Sequence, residues 1–428
     1  MAGQGVAGSK VNYSAPEVMG ALPPELEELK LLVRDVVQRE CIPLESTFLL
    51  HRPGDEPDPK GGQWLETPTS RNETLIDGAL TEAHWDRLTR ISKETGLYNA
   101  TLPEEYGGFG FGVLGSFVIA EEFKRSVVPL PVPEVPPVLF DCSDFQREKY
   151  LEPTIRGEQW YSFAQTEPDA GSDPGSMRTS AVKRGDEWII NGTKTFISRA
   201  DRAGFQLVLA VTDPEKRQHG GITMFIVDAD TPGITVEPIH TWLAQKPGQF
   251  TVTYEDVRVP AENLVGEEGG GFRLGQNWLI ISDRLTRGSM ATGFLTRGLE
   301  MAVDWAKKRE TFGKPIAERQ AVQWMLVDVF LDLKAIRSMS YECATRADRG
   351  EDVRTHAAAA KFLGGNWGHR SMDNIMQVLG GLGEVLETPI PHWYHGLRHG
   401  RIGGGTDEIQ KMLIARAIFK EGVSLWEA

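Results

Sequence analysis

The part of the chain best suited to chemistry covers residues 163–173, with the sequence FAQTEPDAGSD. It places two hydroxyls, on Thr166 and Ser172, close to a turn of the small residues Ala170 and Gly171. Main-chain N–H groups in such a turn can closely approach a flat or an anionic ligand, because no bulky side chain intervenes. The segment therefore predicts a ligand-binding loop, although an ordinary surface turn has a similar composition.

Five further motifs follow the same order as in a known family and, with this loop, span nearly the whole chain. They are 102–108 (LPEEYGG), 191–198 (NGTKTFIS), 309–313 (RETFG), 377–383 (QVLGGLG) and 405–409 (GTDEI). The set resembles the acyl-CoA dehydrogenase family, whose flavin-binding segment T-E-P-x-A-G-S-D is closely similar to residues 166–173. Six motifs in one order make a chance match a poor explanation.

The elements that must position these residues change from helical to strand-rich and back to helical. Apolar residues between 24 and 39 recur at helical spacing, and a stripe from Val322 to Ile336 should pack against a neighbouring helix. Between about 160 and 265, β-branched runs separated by Gly, Pro and Asp predict strands. Among them, 187–190 followed by Asn191-Gly192 predicts a strand that enters a hairpin turn.

These patterns predict three domains: an N-terminal helical domain over 1–158, a middle β-domain over 159–268 and a C-terminal helical domain over 269–428. A polar, Pro- and Gly-rich stretch at about 51–77 predicts a surface insertion in the first. The resemblance implies an acyl-CoA dehydrogenase-like fold, with an all-α N-terminal domain, a middle β-barrel or sandwich, and an all-α C-terminal four-helix bundle.

Composition limits the functional classes. The formal net charge of −14 disfavours nucleic-acid binding, which needs a basic surface. No apolar run reaches membrane-spanning length, and three scattered cysteines indicate a reducing compartment. We therefore expect a cytoplasmic protein, or one of the mitochondrial matrix in a eukaryote.

Other chemistries are weaker alternatives. The glycines of 107–112 follow no strand and miss the G-x-G-x-x-G spacing, which argues against a Rossmann site. His392, His395 and His399 would share one helical face, but no Cys or clustered carboxylate completes a metal ligand set. A structural or interface role for these histidines is favoured, and a metal site stays open.

The resemblance implies that the chain binds FAD. Thr166 should hydrogen-bond the isoalloxazine edge, and Ser172 should lie near the pyrophosphate and the pantetheine of the substrate. Phe196 stands where relatives often carry Trp beside the flavin ring, and Ser198 where a Thr hydroxyl approaches flavin N5. The expected FAD contacts of this kind are Phe163, Gln165, Thr166, Gly171, Ser172, Phe196, Ser198, Thr406 and Glu408.

A second set is implied to bind the adenosine diphosphate part of FAD in a neighbouring subunit. It comprises Arg309, Thr311, Phe312, Gln320, Gln377, Gly380 and Gly381. Arg309 would contact phosphate by a charge-assisted bond, and the glycines would permit close backbone approach. A plain helix C-cap at 377–381 is compatible with this role. The implied assembly is a homo-oligomer, either a dimer or a tetramer.

One departure from the common family pattern determines the expected mechanism. Many relatives carry a catalytic Glu immediately before the Gly-Thr of the last motif, where this chain has Gly404. Isovaleryl-CoA and long-chain types carry the base on a helix, immediately before an Arg, which corresponds to Asp283 and Arg284. Asp283 is therefore the candidate base, and a simple ion pair with Arg284 or another cation is the alternative.

The implied reaction is FAD-dependent α,β-dehydrogenation of an acyl-CoA thioester to a trans-2-enoyl-CoA, with electrons passed to an electron-transferring flavoprotein. Ser172, Asp283 and Arg284 would contact the substrate, and the main-chain N–H of Gly404 would hold the thioester oxygen with a ribityl hydroxyl. A flavin monooxygenase or oxidase on this fold, and a non-dehydrogenase or non-catalytic family member, are the alternatives. Complete flavin motifs favour a self-sufficient enzyme.

Overall fold

A computed structural model describes residues 22–49, 80–241 and 248–422, except the side chains of Ile281, Ser282 and Glu421. The insertion predicted at about 51–77 lies outside the described residues. The described chain divides into two compact units. The helical unit comprises residues 22–49, 80–132 and 280–422, and the β unit comprises residues 133–241 and 248–279.

The chain is helical, then strand-rich, then helical again, as the sequence predicts. The α-helices are α1 (Pro24–Val36), α2 (Glu45–Leu49), α3 (Glu82–Glu94), α4 (Gly112–Phe123), α5 (Asp144–Gln146), α6 (Glu152–Arg156), α7 (Gly271–Trp278), α8 (Thr286–Lys308), α9 (Gln320–Asp348), α10 (Arg354–Phe362), α11 (Gly368–Leu379), α12 (Pro389–Gly400) and α13 (Asp407–Glu421). The strands are β1 (Tyr161–Ala164), β2 (Ser180–Arg184), β3 (Glu187–Ser198), β4 (Phe205–Val211), β5 (Ile222–Asp228), β6 (Ile234–Ile239), β7 (Gln249–Pro260), β8 (Leu264–Val265), β9 (Glu310–Thr311) and β10 (Lys314–Pro315).

Shorter helical segments interrupt or extend these elements. Four are π-helical: Val37–Cys41, Arg147–Leu151, Leu279–Leu285 and Leu363–Trp367. Single 3₁₀ turns occur at Ile42–Leu44, Glu104–Tyr106, Pro137–Leu139, Pro174–Ser176, Arg217–His219, Ala261–Asn263, Ile316–Glu318 and Gly380–Glu384. π-Helical turns are rare and concentrate at functional sites, which makes their positions informative.

The helical unit joins helices from both ends of the chain in a common core. Leu26 of α1, Phe117 of α4 and Tyr341 of α9 belong to one buried apolar cluster. Asp348, at the end of α9, accepts hydrogen bonds from the first N–H groups of α4, those of Val113 (2.6 Å) and Leu114 (3.0 Å). A carboxylate there stabilises both the free N–H groups and the helix dipole.

The C-terminal helices build a second core in the same unit. Here α8, α9 and α11 pack against one another, and α10 packs against α9 and α13. Val329, Leu333 and Ile336 of the predicted stripe are buried there, which confirms its role in helix packing. The predicted fold class, helical at both ends with a middle β part, is confirmed.

The β unit is built on one sheet, with the strand order β6-β7-β3-β2-β4-β5-β8 and β1 pairing with β4 in parallel. Every residue of β4 is buried, since the strand lies in the middle of the sheet and α7 packs against it. The strands predicted at 206–211, 222–227, 234–238 and 250–259 are all present.

The hairpin turn predicted at Asn191-Gly192 is wrong. β3 continues through these residues, and the chain reverses earlier, between the end of β2 and the start of β3. A change of register against β7 occurs at this point, and the Asn191 side chain exchanges hydrogen bonds with Asp256 (3.1 and 2.8 Å). Glycine is needed at 192 because a Cβ would lie 2.5 Å from Thr179 Oγ1.

Candidate active site

The predicted flavin loop is supported by a buried ion pair in the β unit. Lys194 on β3 is 0% exposed, and its Nζ donates to Glu167 Oε1 (2.8 Å) and to the carbonyl oxygen of Gln165 (3.0 Å). Glu167 also accepts the main-chain N–H groups of Arg178 (2.6 Å) and Thr179 (2.9 Å). The pair therefore fixes the backbone on both sides of Thr166.

The pKa values of both members of this pair are lowered, each for a different balance of causes. Burial lowers the pKa of Lys194 to about 8, and Glu167 opposes that shift. Burial alone would raise the pKa of Glu167, but the charge of Lys194 and its hydrogen bonds outweigh burial and hold that pKa below its ordinary value.

The loop itself is a tight turn attached to β3. Glu167 and Ala170 exchange main-chain hydrogen bonds of 3.1 Å, and Thr195 N donates to Thr166 O (2.9 Å). Thr166 is half-buried, whereas Gly171 and Ser172 are exposed. The turn thus leaves the hydroxyls of Thr166 and Ser172 available near exposed backbone.

An irregularity in β3 presents the next predicted flavin contacts. The register of β3 against β7 shifts between Lys194 and Ile197, and Phe196 lies in this shift with φ +57°. Phe196 is 57% exposed. A bulky residue in the left-handed region stores strain of about 1–3 kcal/mol, and such strain concentrates at functional sites. Phe196 and Ser198 are both exposed, and their expected flavin contacts stay predictions.

The side chains of Phe163 and Gln165 contact α7, within the β unit. The Phe163 ring stacks on Trp278, with centroids 4.5 Å apart and planes at 24°. A Cβ on Gly275 would lie 3.2 Å from Gln165 Oε1, an atom without a hydrogen-bond partner. These two residues therefore support the loop by side-chain packing and by the main-chain carbonyl of Gln165, which accepts a hydrogen bond from Lys194.

The helical unit brings the candidate base and Gly404 together. Asp283 lies in the π-helical segment Leu279–Leu285, and its side chain is 16% exposed. Arg287 Nη2 donates to Asp283 Oδ1 (2.7 Å), while Oδ2 is buried without a hydrogen-bond partner. A Cβ built on Gly404 would lie 1.7 Å from that Oδ2. The Asp283 carboxylate thus occupies the space where a side chain at position 404 would begin.

Arg284 packs beneath the glycine-rich loop in the single chain, and its expected substrate contact stays a prediction. It is buried, and its Nε lies 3.4 Å from the carbonyl oxygen of Gly404, which also accepts from Gln410 Nε2 (3.2 Å). Burial lowers the pKa of Arg284, with the charge of Asp283 acting in the opposite direction. Arg284 therefore anchors the glycine-rich loop, and Asp283 is paired with Arg287.

Thr406 and Glu408 follow this loop at the start of α13. The Thr406 hydroxyl accepts from Ile409 N (3.4 Å), which makes Thr406 the N-cap. Hydrogen bonds from its own main-chain N–H and from Thr406 lower the pKa of the exposed Glu408. Both residues thus have helix-capping roles in the single chain.

Sequence reasoning missed a buried lysine beside this cluster. Lys361 on α10 is 0% exposed, and its Nζ lies 3.6 Å from Asp407 Oδ1. Neither atom has a hydrogen-bond partner. Asp407 Oδ2 accepts from Arg401 Nε (2.9 Å) and Asn366 Nδ2 (3.0 Å). The sequence signal for a buried lysine was the position of Lys361 at the end of an apolar run, in the segment THAAAAKF.

Burial lowers the pKa of Lys361 to about 8. Asp407 and Asp283 oppose this shift by attraction, and Arg287 reinforces it by repulsion. Burial also lowers the pKa of His399, and the charges of Arg287 and Lys361 contribute to that shift. Five titratable groups therefore share one electrostatic environment around the candidate base.

Glycines let the backbone segments of this cluster approach closely. A Cβ on Gly364 would lie 2.7 Å from the carbonyl oxygen of Arg287, and one on Gly365 would lie 2.8 Å from that of Gly400. Both glycines belong to the π-helical segment Leu363–Trp367, which continues α10. This segment fixes α10 against the start of α8 and the end of α12.

The predicted contacts to a neighbour's FAD are exposed in the single chain, with the exception of Thr311. Arg309 precedes the hairpin of β9 and β10, and Phe312 at its tip has φ +50° and is 98% exposed. Thr311 is half-buried and Gln320 is exposed. Gln377, Gly380 and Gly381 are exposed where α11 ends, with Gly380 at φ +60° as the C-cap.

Among the described residues, no group of three or more His, Cys, Asp or Glu side chains could hold a metal ion. His392, His395 and His399 all lie on α12, and burial lowers the pKa of each. In the described chain, no helix is long and apolar enough to span a membrane.

Comparison with known proteins gives a family match for each part of the chain. The chain matches the N-terminal domain (74–158), middle domain (162–257) and C-terminal domain (269–419) of acyl-CoA dehydrogenase. It is 32% identical to (R)-benzylsuccinyl-CoA dehydrogenase of Thauera aromatica over 414 residues, 94% of this chain and 97% of that protein.

Two solved structures are similar to this chain over most of its length. Butyryl-CoA dehydrogenase from Megasphaera elsdenii has a TM-score of 0.75 at 27% identity, over 93% of this chain and 99% of that one. A chain from the structure of the electron transferring flavoprotein of Acidaminococcus fermentans has a TM-score of 0.76 at 26% identity, over 94% and 99%.

The matches to all three domains define a flavin-binding oxidoreductase. The chain belongs to the acyl-CoA dehydrogenase family, as its motifs predicted. Its general activity is acyl-CoA dehydrogenation.

Proposed function

We propose that Asp283 is the base of an FAD-dependent α,β-dehydrogenation that converts an acyl-CoA thioester to a trans-2-enoyl-CoA. The observation that carries this proposal is the carboxylate itself: Arg287 holds Oδ1, and Oδ2 is buried with no hydrogen-bond partner. A carboxylate oxygen free to accept a proton, on a side chain fixed by its other oxygen, is what a general base requires.

The absence of a side chain at position 404 supports the same assignment. Gly404 has φ +69°, and the space of its missing Cβ is occupied by Asp283 Oδ2. A side chain at 404 would therefore require the Asp283 carboxylate to leave its present position. The main-chain N–H of Gly404 would hold the thioester oxygen and stabilise the charge that develops there.

FAD is the proposed cofactor. When bound, it supplies the acceptor for the β-hydrogen and its electron pair. Asp283 takes the α-proton, and the electrons of the α C–H bond form the new double bond. Thr166, Ser172, Phe196 and Ser198 would contact the flavin, supported by the exposed ring and hydroxyls of the loop and β3.

We also propose that the chain forms a homo-oligomer in which Arg309, Thr311, Phe312, Gln320, Gln377, Gly380 and Gly381 serve a neighbour's FAD. An exposed apolar face on α9 supports this, because Trp324, Val327 and Leu331 are each at least 50% exposed. Contiguous exposed apolar surface marks an interaction site. A second copy of the chain is the proposed occupant.

The proposed electron acceptor is an electron-transferring flavoprotein. The similarity to a chain from such a protein's structure in Acidaminococcus fermentans supports this choice. The name of the Thauera aromatica relative suggests a further substrate class to test, CoA thioesters that also carry a free carboxylate.

The decisive experiment mixes purified protein anaerobically with a panel of acyl-CoAs that differ in chain length, branching and terminal carboxylate. Flavin bleaching with one equivalent of enoyl-CoA formed supports the proposal. Oxygen consumption without enoyl-CoA would indicate an oxidase or monooxygenase instead. Flavin-loaded protein that no thioester reduces, though it binds several, would identify a non-catalytic family member.

A further inference from the structure

Gln410 is a fully buried polar side chain to which the proposed reaction assigns no role. It lies near the start of α13, one position after the motif at 405–409, and is 0% exposed. Its Nε2 donates to the carbonyl oxygens of Gly404 (3.2 Å) and Gly405 (2.9 Å). Burying an amide is unfavourable unless it is hydrogen-bonded, and here both N–H groups bind the same glycine-rich loop.

We propose that Gln410 is a positioning residue for the dehydrogenation: by holding the carbonyl oxygens of Gly404 and Gly405, it fixes the orientation of the Gly404 main-chain N–H. The inference rests on the proposed function, because it takes that N–H as the donor to the thioester oxygen. Gln410 acts through the backbone and not by contact with the substrate.

The loop needs an external restraint because of its composition. Residues 403–405 are three consecutive glycines, and Gly404 and Gly405 have φ angles of +69° and +93°. Glycine loses more conformational freedom on ordering than any other residue, so such a run does not keep one conformation by itself. A donor that stabilises a developing negative charge must already be in place when the charge forms. The rigidity therefore has to come from outside the loop.

The peptide bond that carries the Gly404 N–H lies between two anchored atoms. On one side, Gly403 N donates to the carbonyl oxygen of His399 at the end of α12 (3.1 Å). On the other side, Gly404 O accepts from Gln410 Nε2 (3.2 Å), with Arg284 Nε at a longer 3.4 Å. Among the described residues, the Gly404 N–H itself donates to no main-chain oxygen. The peptide plane is thus restrained while its N–H remains free of main-chain bonding.

The Gln410 amide has one orientation and is held by α13 rather than by the loop. Only Nε2 can donate to two carbonyl oxygens, so the nitrogen faces the loop, and Oε1 is buried without a hydrogen-bond partner. Gln410 N donates to the carbonyl oxygen of Thr406, the N-cap of α13 (3.0 Å). A Cβ on Gly405 would lie 2.8 Å from Nε2, so a glycine there lets the backbone approach the amide closely.

The test measures the carbonyl stretching frequency of a bound thioester, because a hydrogen bond to a carbonyl oxygen lowers that frequency. The probe is the trans-2-enoyl-CoA formed from the best acyl-CoA of the panel, with carbon-13 at the thioester carbonyl. Infrared difference spectra are recorded with oxidised, FAD-loaded wild type, Gln410→Met and Gln410→Asn. Flavin content, thermal stability and the single-turnover rate of flavin reduction are measured for each protein.

Gln146→Met is the matched control. Gln146 is also buried, and its Nε2 donates to the main-chain carbonyl oxygens of Glu262 (2.7 Å) and Leu264 (2.8 Å) in the β unit. The control therefore loses the same pair of hydrogen bonds from a buried amide at another place. It should keep the wild-type frequency and rate of flavin reduction even where its stability falls.

We expect the frequency in wild type to lie below that of the same thioester in water, and in Gln410→Met to return most of the way to that value. Flavin reduction should slow by about 10–100-fold, less than the ~10²–10³-fold for removing an oxyanion donor itself. Thioester binding should change much less, since the N–H acts mainly in the transition state. Gln410→Asn, whose amide is withdrawn by about 1.5 Å, should shift the frequency in the same direction.

A wild-type frequency in flavin-loaded Gln410→Met overturns the proposal, even if that variant is slower or less stable. If Gln410→Met does not fold, a wild-type frequency in Gln410→Asn has the same meaning. Failure of the proposed function gives a different result. A frequency in wild type equal to that in water rejects Gly404 as the oxyanion donor, and the role of Gln410 with it. The role of Gln410 alone is rejected when wild type has the lowered frequency and the Gln410 variants keep it.

Discussion

Two buried lysine–carboxylate pairs, one in each unit, have the same chemistry and different surroundings. In the β unit, Lys194 and Glu167 lie 2.8 Å apart, and the backbone supplies further partners to both. In the helical unit, Lys361 and Asp407 are separated by 3.6 Å, and neither facing atom has a hydrogen bond. Both lysines are completely buried.

The difference shows what each pair can do. A buried ion pair whose hydrogen bonds are all made fixes local structure, and the Lys194 pair fixes the backbone around Thr166. A buried pair that is incompletely bonded stabilises little but leaves a charge in a low-dielectric region, where it acts on its neighbours. The β unit therefore holds the backbone around Thr166 rigidly, and the helical unit keeps a buried lysine whose ion pair lacks hydrogen bonds.

Lys194→Met should have the largest effect on stability, because it leaves Glu167 buried without its counter-ion. Breaking a buried pair costs about 3–5 kcal/mol. We expect loss of flavin, measured by the ratio of flavin to protein absorbance, together with a lower midpoint in urea unfolding. Lys183→Met, which removes an exposed lysine on the neighbouring strand β2, is the control. Flavin content equal to wild type in Lys194→Met would show that the Lys194–Glu167 pair does not hold the loop for flavin binding.

The pH dependence of stability gives the second prediction. Burial lowers the pKa of Lys361 from 10.5 to about 8, so in that window the unfolded chain binds a proton that the folded chain does not. Stability should therefore rise from pH 8 to pH 10.5, with Lys361 contributing at most about 3 kcal/mol.

Lys361→Met should remove this contribution, so the difference in melting temperature between the variant and wild type should change steadily across that window. Lys194 has the same lowered pKa, and its Met variant should remove an equal share. Parallel melting curves for wild type and Lys361→Met from pH 7 to pH 11 would show that Lys361 titrates normally.

Gly404→Ala gives the third and smallest effect. Gly404 and Gly350 both have positive φ, +69° and +75°, but only at Gly404 would a Cβ meet another atom, Asp283 Oδ2. Gly350→Ala should cost about 1–2 kcal/mol from backbone strain alone. Gly404→Ala should cost about 1–3 kcal/mol more, measured by urea unfolding.

The extra cost should disappear when Gly404→Ala is combined with Asp283→Ala, because the clashing oxygen is then absent. Equal costs for the two glycine variants in the wild-type background would mean that the carboxylate moves aside freely. A side chain at position 404 would then displace the carboxylate at little cost.

Much of the fold could be predicted from sequence because its signals are local. Strand runs such as 222–227 and the helical stripe from Val322 to Ile336 carry their periodicity within a short window. The turn at Asn191-Gly192 failed because the same dipeptide suits both a hairpin and a strand irregularity. Only the neighbouring backbone of Thr179, which excludes any Cβ, decides between them.

The candidate site was predictable in part. Asp283 and Gly404 follow from motif positions. The cation that pairs with Asp283, left open between Arg284 and another residue, is Arg287 at i, i+4 spacing. The Lys361–Asp407 pair joins residues 46 positions apart on two different helices. No local pattern encodes that contact, since it depends on how α10 packs against α13.

The rate of flavin reduction by acyl-CoA in Asp283→Asn decides whether Asp283 is the base. The amide keeps the shape of the side chain but cannot accept the α-proton. We predict FAD content and thioester binding close to wild type, with reduction slowed about 10²–10⁴-fold. Reduction of flavin at the wild-type rate in Asp283→Asn would instead make Asp283 a structural partner of Arg287 and not the base.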